Sequence, residues 1–147
     1  MSIVRNPVSL VSTFLWIGFV CAISFMEAWL KFRAPGITVP LGLGIGRLVF
    51  NALNKVEWVF AIAIMVSGLF AKEKWLSPKT IAFAISLLLL ILQTFWTLPQ
   101  LDARAEMVIL ARDLPPSNLH FYYVGMEAVK VITLLIFGIS HFKISKS

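Results

Sequence analysis

The sequence predicts an all-α integral membrane protein, a four-helix bundle, and three observations carry that prediction. Of its 147 residues, 59% are hydrophobic and only 14% are charged. Four runs, at about 10–31, 47–70, 80–100 and 118–140, reach the roughly 20 residues needed to cross a hydrocarbon layer of about 30 Å. Between Ile81 and Leu92 no charge occurs at all. A soluble helix that is apolar on every side would need a far larger core than a chain of this size can wrap around it. The four runs therefore form a single membrane domain over 1–147.

The N-terminal tail ends at Pro7. The first run carries Phe14, Trp16 and Phe19 and closes on Glu27 and Lys31, spaced i, i+4 with the acid first, the favourable order for a helical ion pair. No small-x-small cleavage pattern follows, and the run continues through Trp29, so a transmembrane helix is expected here rather than a cleaved signal peptide. Residues 34–46 make an uncharged connector with Pro35, Pro40, Gly42, Gly44 and Gly46, expected to lie in the interface or dip back as a short re-entrant piece. Gly42 and Gly46 have the small-xxx-small spacing that lets helices approach closely. With no GxGxxG and no preceding strand, a dinucleotide site is excluded. The second run opens with Arg47, Asn51, Asn54, Lys55 and Glu57. Glu57 lies about 15 Å along the helix from Arg47 and so near mid-membrane.

Lys72, Glu73, Lys74, Trp75, Pro78 and Lys79 read as a turn at a water interface. The third run is featureless until Gln93, after which Gln93, Trp96, Thr97, Gln100 and Arg104 follow one helical stripe. Pro99 is expected to kink or end that helix, with Asp102 just beyond. A polar connector containing Glu106, Arg112, Asp113, Pro115 and Pro116 leads to Ser117 or Asn118 as the N-cap of the last run. That run places His120, Tyr123, Glu127 and Lys130 at i, i+3, i+7 and i+10, on one helix face. An ionisable group facing hydrocarbon costs about 2.5–3.5 kcal/mol, so this face must look into protein or a wet cavity. The tail from His141 is basic and expected to fray.

Consecutive spans alternate direction, which puts the end of the first, the start of the second, the end of the third and the start of the fourth on one side. Six of the seven acids fall there: Glu27, Glu57, Asp102, Glu106, Asp113 and Glu127. The second and fourth runs also resemble each other faintly, each with an acid about seven residues after an aromatic entry residue and a Lys two or three away. That likeness would make the bundle two repeated hairpins related by an axis along the membrane normal. Outside the spans Lys and Arg favour the other side, so both termini are expected in the cytoplasm with the polar end facing outward.

The predicted site is a polar cavity open to one side, built from Glu27, Lys31, Arg47, Asn51, Asn54, Glu57, Gln93, Gln100, Asp102, Arg104, His120, Tyr123, Glu127 and Lys130. Three readings of it stay open. Intramembrane ionisable groups mark ligand and ion sites, and a His flanked by carboxylates can relay protons, which points to a small molecule or ion, with several copies assembling if a pathway is needed. Acid-base work by His120, Tyr123 and Glu127 on a lipid or quinone would make the protein a membrane enzyme. An accessory subunit would turn the same polar face toward another protein.

Other chemistries are excluded. Basic residues are thinly spread and do not alternate with aromatics, so no nucleic-acid partner is expected beside the lipid bilayer. Cys21 is alone, which rules out disulfides, paired-thiol redox chemistry and Cys-based zinc sites. One carboxylate per span with one well-placed His lacks the Glu-x-x-His pairs of two-metal bundles, so no metal is expected; hard oxygen donors would favour Mg, Ca or Mn over Zn. With His141 in the tail, His120 has no partner for haem. No cofactor can be named from these residues.

The blocks Glu-Ala-Trp-Leu-Lys-Phe-Arg-Ala-Pro at 27–35, Gly-Ile-Gly-Arg-Leu-Val-Phe-Asn-Ala-Leu-Asn-Lys-Val-Glu at 44–57, Leu-Pro-Gln-Leu-Asp-Ala-Arg-Ala at 98–105 and the stretch opening the last run resemble a group of small bacterial four-span membrane proteins of unassigned function. The resemblance covers most of the chain. It implies a bacterial inner-membrane protein and brings no activity with it.

Overall fold

A computed structural model describes residues 3–4, 6–71, 77–112 and 114–143. The charged turn at 72–76, and with it Arg5, Asp113 and Lys146, lies outside the described residues.

Four long helices account for the fold: α1 Pro7–Arg33, α2 Val39–Phe70, α3 Pro78–Ile109 and α4 Leu119–Ile139. The sequence signals for their starts are local and repeated. Asn6 accepts a hydrogen bond from Ser9 N at 3.1 Å, Thr38 from Leu41 N at 3.4 Å and Ser77 from Thr80 N at 3.4 Å. In each case a proline, Pro7, Pro40 or Pro78, occupies the first turn, where its missing N–H costs nothing. At α4, Ser117 Oγ accepts from Leu119 N at 3.2 Å, while the Asn118 side chain makes no capping bond.

The helices form a ring in chain order. α1 packs on α2 and α4, and α3 lies against α4 with its first half and against α2 with its second. The change of partner within α3 coincides with a π-helical turn at Gln93–Thr97, where the N–H of Leu98 reaches back five residues to the Gln93 carbonyl. α1 carries a matching π turn at Cys21–Glu27, with Ala28 N–H bonded to Ile23 O. The two odd-numbered helices thus share a wide turn at the polar end, and the two even-numbered helices each bring one buried glutamate, Glu57 and Glu127.

Only 28–39% of the most apolar window of each helix is buried within the chain. The outward remainder is carbon, for example Leu48, Phe70, Phe95 and Phe121, each at least 73% exposed. A bundle that shows its apolar side chains outward and hides its charges is suited to lipid and not to water. The chain has the build of a multi-pass membrane protein.

Three sequence expectations differ from the structure. Residues 39–46 are neither interfacial loop nor re-entrant segment: they are the first two turns of α2, because the Thr38 cap and Pro40 start the helix early. Pro99 does not end the third helix; a π turn stands just before it, and α3 runs on to Ile109. At 32 residues each, α2 and α3 are about 48 Å long, more than a hydrocarbon layer of about 30 Å requires. Nor is the start of the tail frayed. His141 is buried against Phe137, and Phe142–Lys143 pairs antiparallel with Ile3–Val4 in a two-residue ladder that joins the chain's ends.

Along its axis the bundle is layered. Trp16, Val20, Ala61, Ile64, Phe83, Leu90, Leu134 and Phe137 form the apolar core. A buried charged layer lies above it, and a cleft opens above that.

Candidate functional site

The charged layer centres on Lys130, which is fully buried with Glu57 and Glu127. Its ammonium donates to Glu57 Oε1, to Gln93 Oε1 and, at 3.3 Å, to Glu127 Oε1. Glu57 Oε1 also accepts from Trp16 Nε1 at 2.8 Å, and Glu127 Oε1 from Gln93 Nε2 at 3.0 Å. Each of the four helices supplies one or more members, so the network ties the bundle together in the lipid layer. A fully hydrogen-bonded network is what such burial requires, yet here it is incomplete. Glu57 Oε2, Glu127 Oε2, Thr97 Oγ1 and Ser24 Oγ are buried and make no hydrogen bond of ordinary geometry to another described residue.

The cleft above has a cavity volume of about 130 Å³ and opens to solvent, and all four helices line it. Phe32, Leu43, Phe50, Leu98, Leu101 and Ala105 give it carbon walls; Lys31, Arg47, Asn51, Asp102 and His120 give it polar points. Lys31 holds Glu27 at 3.2 Å, and its ammonium lies 5.6 Å from the Phe32 ring centroid and 5.4 Å from that of Phe50. Two glycines make room for it. A Cβ at Gly46 would meet Lys31 Nζ at 3.0 Å, and one at Gly42 would run into the Phe32 ring, which gives the predicted small-xxx-small pair its packing partners on α1. Arg47 forms a two-point ion pair with Asp102, at 2.6 and 2.9 Å, and reaches Glu106 at 3.5 Å. About a third exposed, this pair links α2 to α3, and solvent screening keeps its contribution to stability small.

Tyr123 joins the two layers. Its ring lines the cleft and meets Phe50 edge-on at 5.4 Å, while its hydroxyl faces Glu127 and Ser24.

The single cavity expected from the sequence is therefore two compartments. Glu57, Gln93, Glu127 and Lys130 meet in the buried layer. Glu27, Lys31, Arg47, Asn51, Asp102 and His120 belong to the cleft or its rim, where His120 and Asn51 are exposed and Asn51 bonds its own helix at Arg47 O. Asn54 joins neither; it bonds Thr94 Oγ1 at 2.9 Å beside Trp58, a separate link between α2 and α3. Gln100 faces outward and Arg104 Nη2 anchors the connector at Pro115 O, 2.6 Å away. The stripe from Gln93 to Arg104 splits because a π turn inserts about one residue and rotates everything after it by roughly 100°. Trp16, Ser24 and Thr94 were not singled out as site residues, and the apolar cleft walls were hidden among lipid-facing residues of the same types. The one available signal was Trp16 itself: an indole at mid-span, away from the interface, needs a buried acceptor.

Among the described residues, no three His, Cys, Asp or Glu side chains gather into a group able to hold a metal ion. Compared with known protein families, with curated proteins and with solved structures, the chain matches none.

Proposed function

We propose that this is a bacterial inner-membrane protein that takes a small amphiphile, an apolar body with a polar or anionic head, into the cleft from one side of the membrane. The observation that carries the reading is the cleft's make-up: concave, open to one side, walled mainly by carbon, with a few polar groups at fixed points, as small-molecule sites are built. The Lys31–Glu27 ion pair, with its ammonium beside two aromatic rings, offers the head polar partners at the cleft wall.

The test is thermal unfolding of the detergent-purified protein with decanoate, a lysophospholipid and a short-chain quinone as probes. At least one should raise the melting temperature saturably in the wild type. Ala105→Trp, which fills the cleft and leaves every charged residue of the chain in place, should abolish that rise while leaving the probe-free melting temperature within a few degrees. Equal shifts in both proteins, or none in the wild type, would remove the cleft reading.

The excess of Lys and Arg outside the spans supports an outward-facing cleft with both termini in the cytoplasm. In a Cys21→Ser background, Ala34→Cys should react with an impermeant maleimide added to intact cells, and Ala71→Cys should not. The opposite pattern inverts the topology.

A further inference from the structure

The buried layer does not balance its charge from within. Two carboxylates, Glu57 and Glu127, face one ammonium, Lys130, and all three are fully buried. Around them α1 brings Trp16 and Ser24, α3 brings Gln93, and α4 brings Tyr123, all neutral. The charges nearer the cleft are already engaged: Glu27 by Lys31, and Asp102 and Glu106 by Arg47. With both carboxylates ionised, one negative charge would stand uncompensated in a medium where an isolated ion costs far more than a hydrogen bond can return.

A second observation points the same way. Glu57 Oε2 and the Thr97 hydroxyl are buried without a hydrogen bond, and Glu127 Oε2 and the Ser24 hydroxyl have only the Tyr123 hydroxyl to turn to, one such oxygen from each helix. All four are hard oxygen donors, with no thiolate and no imidazole among them. A divalent ion would overshoot the charge by one, whereas a single positive charge closes it.

We propose that the Glu57–Glu127–Lys130 cluster is a binding site for one hard monovalent cation, H⁺ or Na⁺, reached from the cleft past Tyr123. This goes beyond the cleft's ligand and does not rest on it: a cleft that binds no amphiphile leaves the charge count unchanged.

Infrared spectra of the detergent-purified wild type at neutral pH, in choline chloride and in NaCl at equal ionic strength, separate the two sources. Exposed Asp and Glu are ionised there, so a carboxylic-acid C=O band reports a buried protonated acid. A band present in both salts identifies the proton. A band present in choline and lost in sodium identifies exchange of one for the other. No band, with a melting temperature that rises saturably with sodium, identifies sodium alone. Neither band nor sodium-dependent shift overturns the proposal.

Glu57→Gln and Glu127→Gln supply a second criterion. Either substitution leaves one carboxylate for one ammonium, so either should abolish the band or the sodium effect; persistence in both overturns the assignment to this cluster. The wild-type spectra stand without them should a variant fail to fold.

Discussion

Lys130→Met should lower the stability of the protein by about 3–5 kcal/mol, the range found when one partner of a buried ion pair is removed. Methionine keeps most of the volume and loses the ammonium, so the change isolates charge from packing. Gln93 Oε1 loses its donor, Glu57 Oε1 and Glu127 Oε1 each lose one of two, and two carboxylates remain in the membrane with none of their countercharge. Glu127→Gln is expected to act quite differently, costing about 1 kcal/mol or less. It leaves Glu57 and Lys130 matched one to one, and glutamine still offers an oxygen to Gln93 and Lys130. Melting curves of both variants in mild detergent, followed by size-exclusion chromatography, test the asymmetry. Were Lys130 only a space-filler at the bundle axis, methionine would be tolerated there and the order would reverse.

That asymmetry rests on contacts between distant parts of the chain, and this is where sequence reasoning reached its limit. The four helices were legible because lipid imposes length and composition on each span independently. Tyr123, Glu127 and Lys130 share a buried face because one regular helix carries them, and α4 has no break between them. Glu27 and Lys31 pair as their spacing required. The third helix failed to follow its stripe for a local reason, the π turn ahead of Pro99, which the 3.6-residue period cannot anticipate. Separating the cleft from the buried layer depends on which residue of one helix stands level with which of another. Glu57 and Lys130 are 73 positions apart, and no spacing rule links them. The exposed apolar residues pose the same difficulty. Phe50 in the cleft wall and Phe95 on the lipid face are one residue type in similar surroundings, distinguished only once their neighbours are in place.

Trp16 offers the second large effect, and its size depends on what the unfolded reference is. The indole is fully buried where the apolar core meets the charged layer, donating to Glu57 Oε1 at 2.8 Å. In a water-soluble protein Trp→Ala costs about 3–5 kcal/mol, much of it the transfer of apolar surface out of water. Here the separated helices would remain in lipid or detergent, so that transfer contributes little. What remains is lost packing around the cavity and a lost hydrogen bond to a charged group, the latter worth about 1.5–3 kcal/mol. Trp16→Phe keeps most of the packing and removes only the donor, so it should cost about 2 kcal/mol. Trp16→Ala should cost only about 1–2 kcal/mol more than Trp16→Phe, a narrower gap than a soluble core would give. Unfolding titrations in mixed micelles measure both. A Phe variant as stable as the wild type would mean that the indole donates nothing useful to Glu57. The charged layer would then be held by Lys130 and Gln93 alone.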